Sequence, residues 1–290
     1  MTTIDLSRRK EVRTGDGVTL RYIEAGSGDP LVMIPGWSQS AAEFRDNIPA
    51  LAEVARVIAL DMRGHGESDR PPHGYRVSRL AADLHDVLTA LDLGNVTLLG
   101  HSMGSAVAWC YLENYGAGRI ARLVVVDQAP ACVAREGWTD ADRAAYGVLF
   151  PTPQAAHDLY GLLTGPDAEE QTRGFLGAMF TKSFGPEQFA FVVEENLKLP
   201  RTSAADLIFD HVHKDWRDVI GRITLPTLVI GAEASIFSAE SQRWIATQIP
   251  GAEVDIVPAE EGGSHFMFLE NPARFNARVI AFLTGTTAGR

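Results

Sequence analysis

The stretch Val96-Thr97-Leu98-Leu99-Gly100-His101-Ser102-Met103-Gly104-Ser105-Ala106-Val107 decides how this chain folds. Its first half is a short apolar run, as expected of a strand buried on both faces, and its second half opens a helical pattern that runs to about Tyr115. Between them lies Gly100-x-Ser102-x-Gly104, a serine framed by glycines at a strand-to-helix turn. Such a turn crowds two backbones together and holds the intervening residue in a strained conformation, which explains the glycines. It also lifts the Ser102 hydroxyl above the sheet at a helix N-terminus, where amide N–H groups favour developing negative charge. The bland alternative is a glycine-rich turn with an incidental serine. Its context, a strand before and a helix after, favours a nucleophile.

Working outward, short apolar runs alternate with helical stripes on both sides. Toward the N-terminus, the turn Gly15-Asp16-Gly17 precedes a strand at Val18–Glu24 and suggests a hairpin with the segment before it. Leu31–Ile34 reads as a buried strand ended by Pro35-Gly36, Ala41–Ala52 as a helix, and Arg56–Leu60 as the next strand. Leu80, Leu84, Val87, Leu88 and Leu91 form a helical stripe within Arg79–Leu91. Toward the C-terminus, Leu123–Val126 is a strand ending at Asp127. The alternation then stops: Ala131 to Asp218 holds helical stripes and no convincing strand. It resumes with a strand at Thr227–Ile230, a helix at Ala239–Gln248, a strand at Glu253–Val257 and a last helix over Ala273–Leu283. The fold class is therefore α/β, a mostly parallel sheet flanked by helices, with a helical insertion. The division expected is 1–130 and 219–290 for the core and 131–218 for the insertion.

Composition narrows the function. The 290 residues are 46% hydrophobic and 22% charged, as in an ordinary globular protein. A net charge of −11 with no basic block argues against nucleic acid or an anionic membrane as partner. Two cysteines, Cys110 and Cys132, do not make a disulfide framework. The polar Met1–Lys10 segment lacks a signal peptide's apolar run, and no stretch is long and apolar enough to span a membrane, so a cytoplasmic setting is expected. No metal or other cofactor is expected: His211 and His213 invite a metal reading, but no third ligand accompanies them, and they read as solvated residues at a helix end.

A serine nucleophile needs a base on the same edge of the sheet. Among eight histidines, His265 in Glu261-Gly262-Gly263-Ser264-His265 follows the last strand, and its glycines let the loop fold over Ser102. His101 adjoins the serine, but neighbouring side chains on a turn point apart, so it reads as structural. His85 lies in a helix, and His65 and His73 lie in turn-rich loops. The backbone N–H of Trp37, in Pro35-Gly36-Trp37 after the Leu31–Ile34 strand, and that of Met103 are the expected oxyanion donors. The Trp37 indole is free to wall a pocket as well.

These segments, with Asp61-Met62-Arg63-Gly64-His65-Gly66-Glu67-Ser68, Gly263-Ser264-His265-Phe266 and Glu270-Asn271-Pro272, resemble the α/β-hydrolase superfamily over nearly the whole chain. The resemblance implies an eight-stranded core, a helical cap after the sixth strand, and a triad acting through an acyl-enzyme. It casts Asp61–Ser68 as a structural loop. Two departures stand out. Pro35 occupies a position where the family often has histidine. The family's usual acid, an Asp three residues after the glycine ending the seventh strand, is replaced here by Ala234.

The acid must then come from elsewhere. Asp127 ends the sixth strand, where some relatives, haloalkane dehalogenases and zearalenone lactonases among them, carry theirs. We assign Asp127, with Glu233 as runner-up, one residue off register but longer. An Asp-x-x-Pro turn cap is the bland reading of Asp127. Glu260 and Glu261 are read as pointing to solvent.

Seven of the 13 phenylalanines fall between Ala131 and Asp218, joined by Trp138, Tyr146 and Tyr160. Most are expected to glue the insertion to the core, some to roof an apolar pocket over Ser102. With no Arg or Lys evidently placed for a charged substrate, the expected partner is a small, neutral, apolar ester or lactone. Ser102, Asp127 and His265 suffice for acyl transfer. Carbon–carbon bond hydrolases and perhydrolases use similar triads, and a non-catalytic or slow receptor is the reading from another class. A dehalogenase or epoxide hydrolase would require Asp at position 102.

Overall fold

A computed structural model describes residues 5–286. Residues 1–4, part of the polar N-terminal stretch, and 287–290 lie outside the described residues. Eight strands, β1 (Lys10–Arg13), β2 (Thr19–Ala25), β3 (Pro30–Ile34), β4 (Arg56–Asp61), β5 (Val96–His101), β6 (Ile120–Val126), β7 (Thr227–Ala232) and β8 (Glu253–Val257), form one sheet. Its order is β1-β2-β4-β3-β5-β6-β7-β8. The β1–β2 hairpin and the β2–β4 pair are antiparallel; every later pairing is parallel.

Why the central strands read as unbroken apolar runs is plain from the packing. Successive side chains of a strand point to opposite faces, so a sheet covered on both sides needs an apolar residue at every position. Val32 and Ile34 of β3 enter one core layer and Leu31 and Met33 the other. Leu123 and Val125 of β6 join the first layer, Val124 and Val126 the second. All are buried. The first layer is completed by helices Val77–Ala90 and Met103–Tyr115, the second by the terminal helix Pro272–Thr284.

Between β6 and β7 the chain forms helices Asp140–Tyr146, Pro153–Thr164, Ala168–Gly177, Pro186–Leu197, Arg201–Val212 and Arg217–Ile220. Only isolated bridges, Ala131 with Asp215 and Val133 with Phe150, interrupt the helical character among the described residues of that segment. Phenylalanines fasten it to the sheet domain: Phe180 stacks on Phe266 at 4.4 Å between centroids and on Phe184 at 4.3 Å. No helix among the described residues is long and apolar enough to cross a membrane.

One element differs from the sequence reading. Ala41–Ala52 is not a single helix but a 3-10 turn, Ala41–Phe44, followed by a four-residue helix, Ile48–Leu51. Pro49 sits at the start of that second helix. Proline is tolerated in a first turn but would lose a hydrogen bond and clash with the preceding turn in a continuous helix.

Candidate active site

Strand register assembles the site. Ile34 of β3 pairs with Gly100 of β5, and His101 of β5 pairs with Val126 of β6. The residues just past these pairs, Gly36-Trp37, Ser102 and Asp127, therefore emerge together at the carboxyl edge of the sheet. Backbone bonds hold the exits: Ser102 N–H donates to Val126 O at 2.8 Å, and Asp127 N–H to Ile230 O at 2.8 Å.

Ser102 occupies φ 51°, ψ −127° at the head of the helix Met103–Tyr115. An L-residue there costs on the order of 1–3 kcal/mol, held in place by its surroundings. The flanking glycines are forced by contact. A Cβ on Gly100 would stand 2.4 Å from Ser105 N, and one on Gly104 2.2 Å from Ile34 O. Ser102 uses no side-chain bond to cap its own helix, and its side chain lines a cavity shared with His265. Asp127 (φ 48°) and Ser38 (φ 58°) also have positive φ, so three of the five such non-glycine residues among the described residues cluster here.

His265 Nδ1 lies 2.6 Å from Asp127 Oδ2, both side chains being buried. The same carboxylate oxygen accepts a hydrogen bond from Ser235 Oγ, while Asp127 Oδ1 is buried with no partner among the described residues. Burial pushes the Asp127 carboxyl well above the ordinary carboxylate range, and the Ser235 hydroxyl pulls it partly back. Burial also pushes the His265 imidazole down from its ordinary 6.5. For the pair, the outcome is a neutral imidazole whose Nδ1 proton is directed at Asp127, leaving Nε2 as the basic nitrogen. Glu233 is not part of this arrangement: its carboxylate accepts from Ala259 N–H at 3.2 Å. Glu261 pairs with Arg274 at 2.7 Å near the surface.

No loop or turn carbonyl among the described residues takes the backbone N–H of Trp37 or of Met103. The loop that carries Trp37 is tied down by hydrogen bonds. Gly36 N–H donates to Gln39 Oε1 at 2.8 Å, and the Trp37 indole N–H donates to Ala204 O at 2.7 Å. A Cβ on Gly36 would lie 2.9 Å from Gln39 Oε1 and 3.1 Å from Ser102 Cβ.

Sequence reasoning missed several participants. His101, expected to be structural, bridges two parts of the site: its Nδ1 lies 2.8 Å from Gln39 Oε1 and its Nε2 2.8 Å from His265 O. Burial holds the ring neutral, well below its ordinary value, so it has one N–H to give between these two oxygens. Ser235 carries no sequence signal beyond its place after β7. His211, expected to be solvated, is instead 4% exposed and lines the cavity. His213, by contrast, is exposed. The remaining wall is apolar, including Phe175, Leu176, Met179, Ile208, Ile236 and Phe237.

Comparison with known proteins agrees with this architecture. Residues 29–151 match the family model described as alpha/beta hydrolase fold. A non-heme chloroperoxidase from Kitasatospora aureofaciens is 28% identical over 282 residues, 93% of this chain and 98% of the relative. A soluble epoxide hydrolase from a Corynebacterium species is 38% identical over 118 residues, 41% of each chain. The solved structure of an esterase from Exiguobacterium antarcticum superposes with a TM-score of 0.86 at 26% identity, covering 96% of this chain and all of that one. A family match across the Ser102 turn and a likeness to a solved structure over 96% of this chain support membership of the α/β-hydrolase superfamily.

Proposed function

We propose that this protein is a serine hydrolase that cleaves carboxylic esters, lactones included, through an acyl-enzyme on Ser102. The observation that carries the reading is the buried 2.6 Å contact between His265 Nδ1 and Asp127 Oδ2, with His265 and Ser102 facing one cavity. A neutral imidazole in that setting takes the Ser102 proton on Nε2 as Oγ attacks the ester carbonyl. Asp127 fixes the tautomer and stabilises the imidazolium. The Trp37 and Met103 N–H groups receive the oxyanion; losing one such donor lowers a rate by about 10²–10³. Collapse of the tetrahedral intermediate expels the alcohol, which takes the proton from His265. Water, deprotonated by the same nitrogen, then attacks the acyl-enzyme and releases the acid. With a lactone, alcohol and acyl group are one molecule, and the product is a hydroxy acid.

We take residues 131–218 as a cap over the core halves 1–130 and 219–290, with Phe175 roofing the cavity. No Lys or Arg lines that cavity among the described residues, which supports a small neutral substrate. Ser102 in place of a carboxylate argues against epoxide opening, despite the partial likeness to an epoxide hydrolase. The buried free thiols of Cys110 and Cys132 suit a cytoplasmic setting.

The likeness to a non-heme chloroperoxidase favours one second reading on the same residues. Hydrogen peroxide in place of water would attack the acyl-enzyme and release a peracid. A panel of neutral esters and lactones, run with and without peroxide beside Ser102→Ala, tests both. Turnover that vanishes in the variant supports the acyl-enzyme, and peracid as the main product would move the assignment to perhydrolysis. No turnover of any panel member would count against ester cleavage.

A further inference from the structure

The cavity over Ser102 contains one polar group that the proposed chemistry leaves idle. Outside Ser102, His265 and Trp37, whose indole N–H is taken by Ala204 O, the polar side chains in its wall are Gln39, Cys132 and His211. Gln39 Oε1 is occupied by Gly36 N–H and His101. The Cys132 thiol has Gln128 Nε2 at 3.7 Å and is pushed up to about 12 by burial, so it is an inert thiol. His211 differs from both. Its side chain is 4% exposed, and its Nδ1 is buried with no hydrogen-bond partner among the described residues.

An orphaned buried nitrogen costs about 1–3 kcal/mol, and such groups in folded proteins call for an explanation. Loose packing is not the explanation here. The helix carrying it, Arg201–Val212, accepts the Trp37 indole N–H at Ala204 O and bonds the next helix layer through Asp210, which takes Val77 N–H at 2.9 Å. Ala204, Leu207 and Ile208, on the same face as His211, are buried. The ring thus sits on a well-tied helix and lines the same cavity as Ser102 and His265.

We propose that His211 is a recognition group for the substrate, pairing with an uncharged hydrogen-bonding oxygen or amide held away from the scissile carbonyl. The inference rests on the ester-cleavage reading above and sharpens its substrate class: a neutral ester or lactone with an apolar body and one further hydroxyl, keto or amide group. The uncharged character follows from the surroundings. Burial lowers the imidazole to about 4; Asp210 opposes that, while Lys214 and His265 reinforce it. A neutral ring offers one donor and one acceptor, matching such groups, whereas a carboxylate would bring a charge that no Lys or Arg in the wall balances. Neutrality also spares the imidazolium that forms on His265 a second positive charge nearby.

The test uses esters of one chain length, plain or bearing a single keto, hydroxyl or amide group at successive positions on the acyl or the alcohol side. Wild-type protein is expected to favour one functionalised ester over its plain counterpart by about tenfold or more in kcat/KM, the worth of one well-made hydrogen bond in a dry site. His211→Phe, which keeps a ring and removes both nitrogens, should bring that ratio close to one; His211→Gln should restore part of it. A merely structural histidine would lower all esters alike and leave the ratio unchanged, and that result overturns the proposal. So does a wild-type panel with no preference. Equilibrium binding of the same panel to Ser102→Ala keeps the two readings apart. A preference in binding that depends on His211, with no ester turned over by the wild type, would sink ester cleavage and leave the subsite standing.

Discussion

Asp127 Oδ2 lies 2.6 Å from His265 Nδ1 although 138 positions separate them in the chain. The contact arises because β6 and β7 are parallel neighbours and the loop after β8 folds back across both. His265 N–H donates to Met179 O at 3.2 Å, and Ala234 N–H to Gly263 O at 2.8 Å, so the loop is pinned from both sides. The consequence is an imidazole whose orientation is set by the protein itself.

If Asp127 orients His265, Asp127→Asn should fold normally yet lower turnover by about 10⁴, because the amide favours the wrong tautomer. Glu233→Gln, altering a group bonded to Ala259 N–H, should change kcat/KM less than about twofold. Steady-state kinetics on both variants decide the matter. The reverse ranking would return the acid to Glu233.

The pH profile follows from burial. A histidine pushed below its ordinary 6.5 stays basic into acidic solution, so the acid limb of kcat/KM should fall below that value. Ser235 stabilises the Asp127 carboxylate; without it, the anion holds the imidazolium proton more tightly. Ser235→Ala should therefore move the acid limb upward. An unmoved or lowered limb in that variant would contradict the assigned hydrogen bond.

Glu43 offers a stability test remote from the chemistry. It is fully buried, and burial followed by the nearby Glu195 carboxylate raises it well above 4.5. With the folded value above the unfolded one, its contribution is present at low pH and is lost as pH rises from about 4.5 through the folded value. Glu43→Gln removes that loss. The variant's Tm should exceed the wild type's by about 2 °C or more at neutral pH, with the gap closing toward pH 4.5. Thermal melts showing a constant gap would rule out the ionisation as its source.

The turn at Ser102 can be probed by a single methyl group. Gly104→Ala drives a Cβ to within 2.2 Å of Ile34 O, and should destabilise the fold by about 1–3 kcal/mol or prevent soluble expression. Gly118→Ala, with nothing within 4 Å of the added atom, should stay within about 0.5 kcal/mol of wild type. Equal effects in denaturant unfolding would remove close backbone approach as the reason for Gly104.

How far the sequence carried is best seen residue by residue. β3, β5 and β6 were legible because a doubly covered sheet demands apolar residues at every position. Ser102 was legible because the two glycines mark a contact that excludes a Cβ. The break in Ala41–Ala52 was legible in principle, since Pro49 interrupts the stripe. His211 was misread from its nearness to a helix end; the spacing Ala204, Leu207, Ile208, His211 places it on the buried face. The Ser235 contact with Asp127 and the His101 contact with His265 O had no local signal. They depend on how loops from distant strands meet, which neither period nor propensity encodes.

Ser102 should become covalently acylated with help from His265. Intact-mass and peptide mapping after treatment with diethyl p-nitrophenyl phosphate, an organophosphate that traps activated serines, addresses it directly. One diethylphosphoryl group on Ser102 in the wild type, absent from Ser102→Ala and formed far more slowly in His265→Ala, is the result expected. No adduct, or an adduct on another residue, would contradict it.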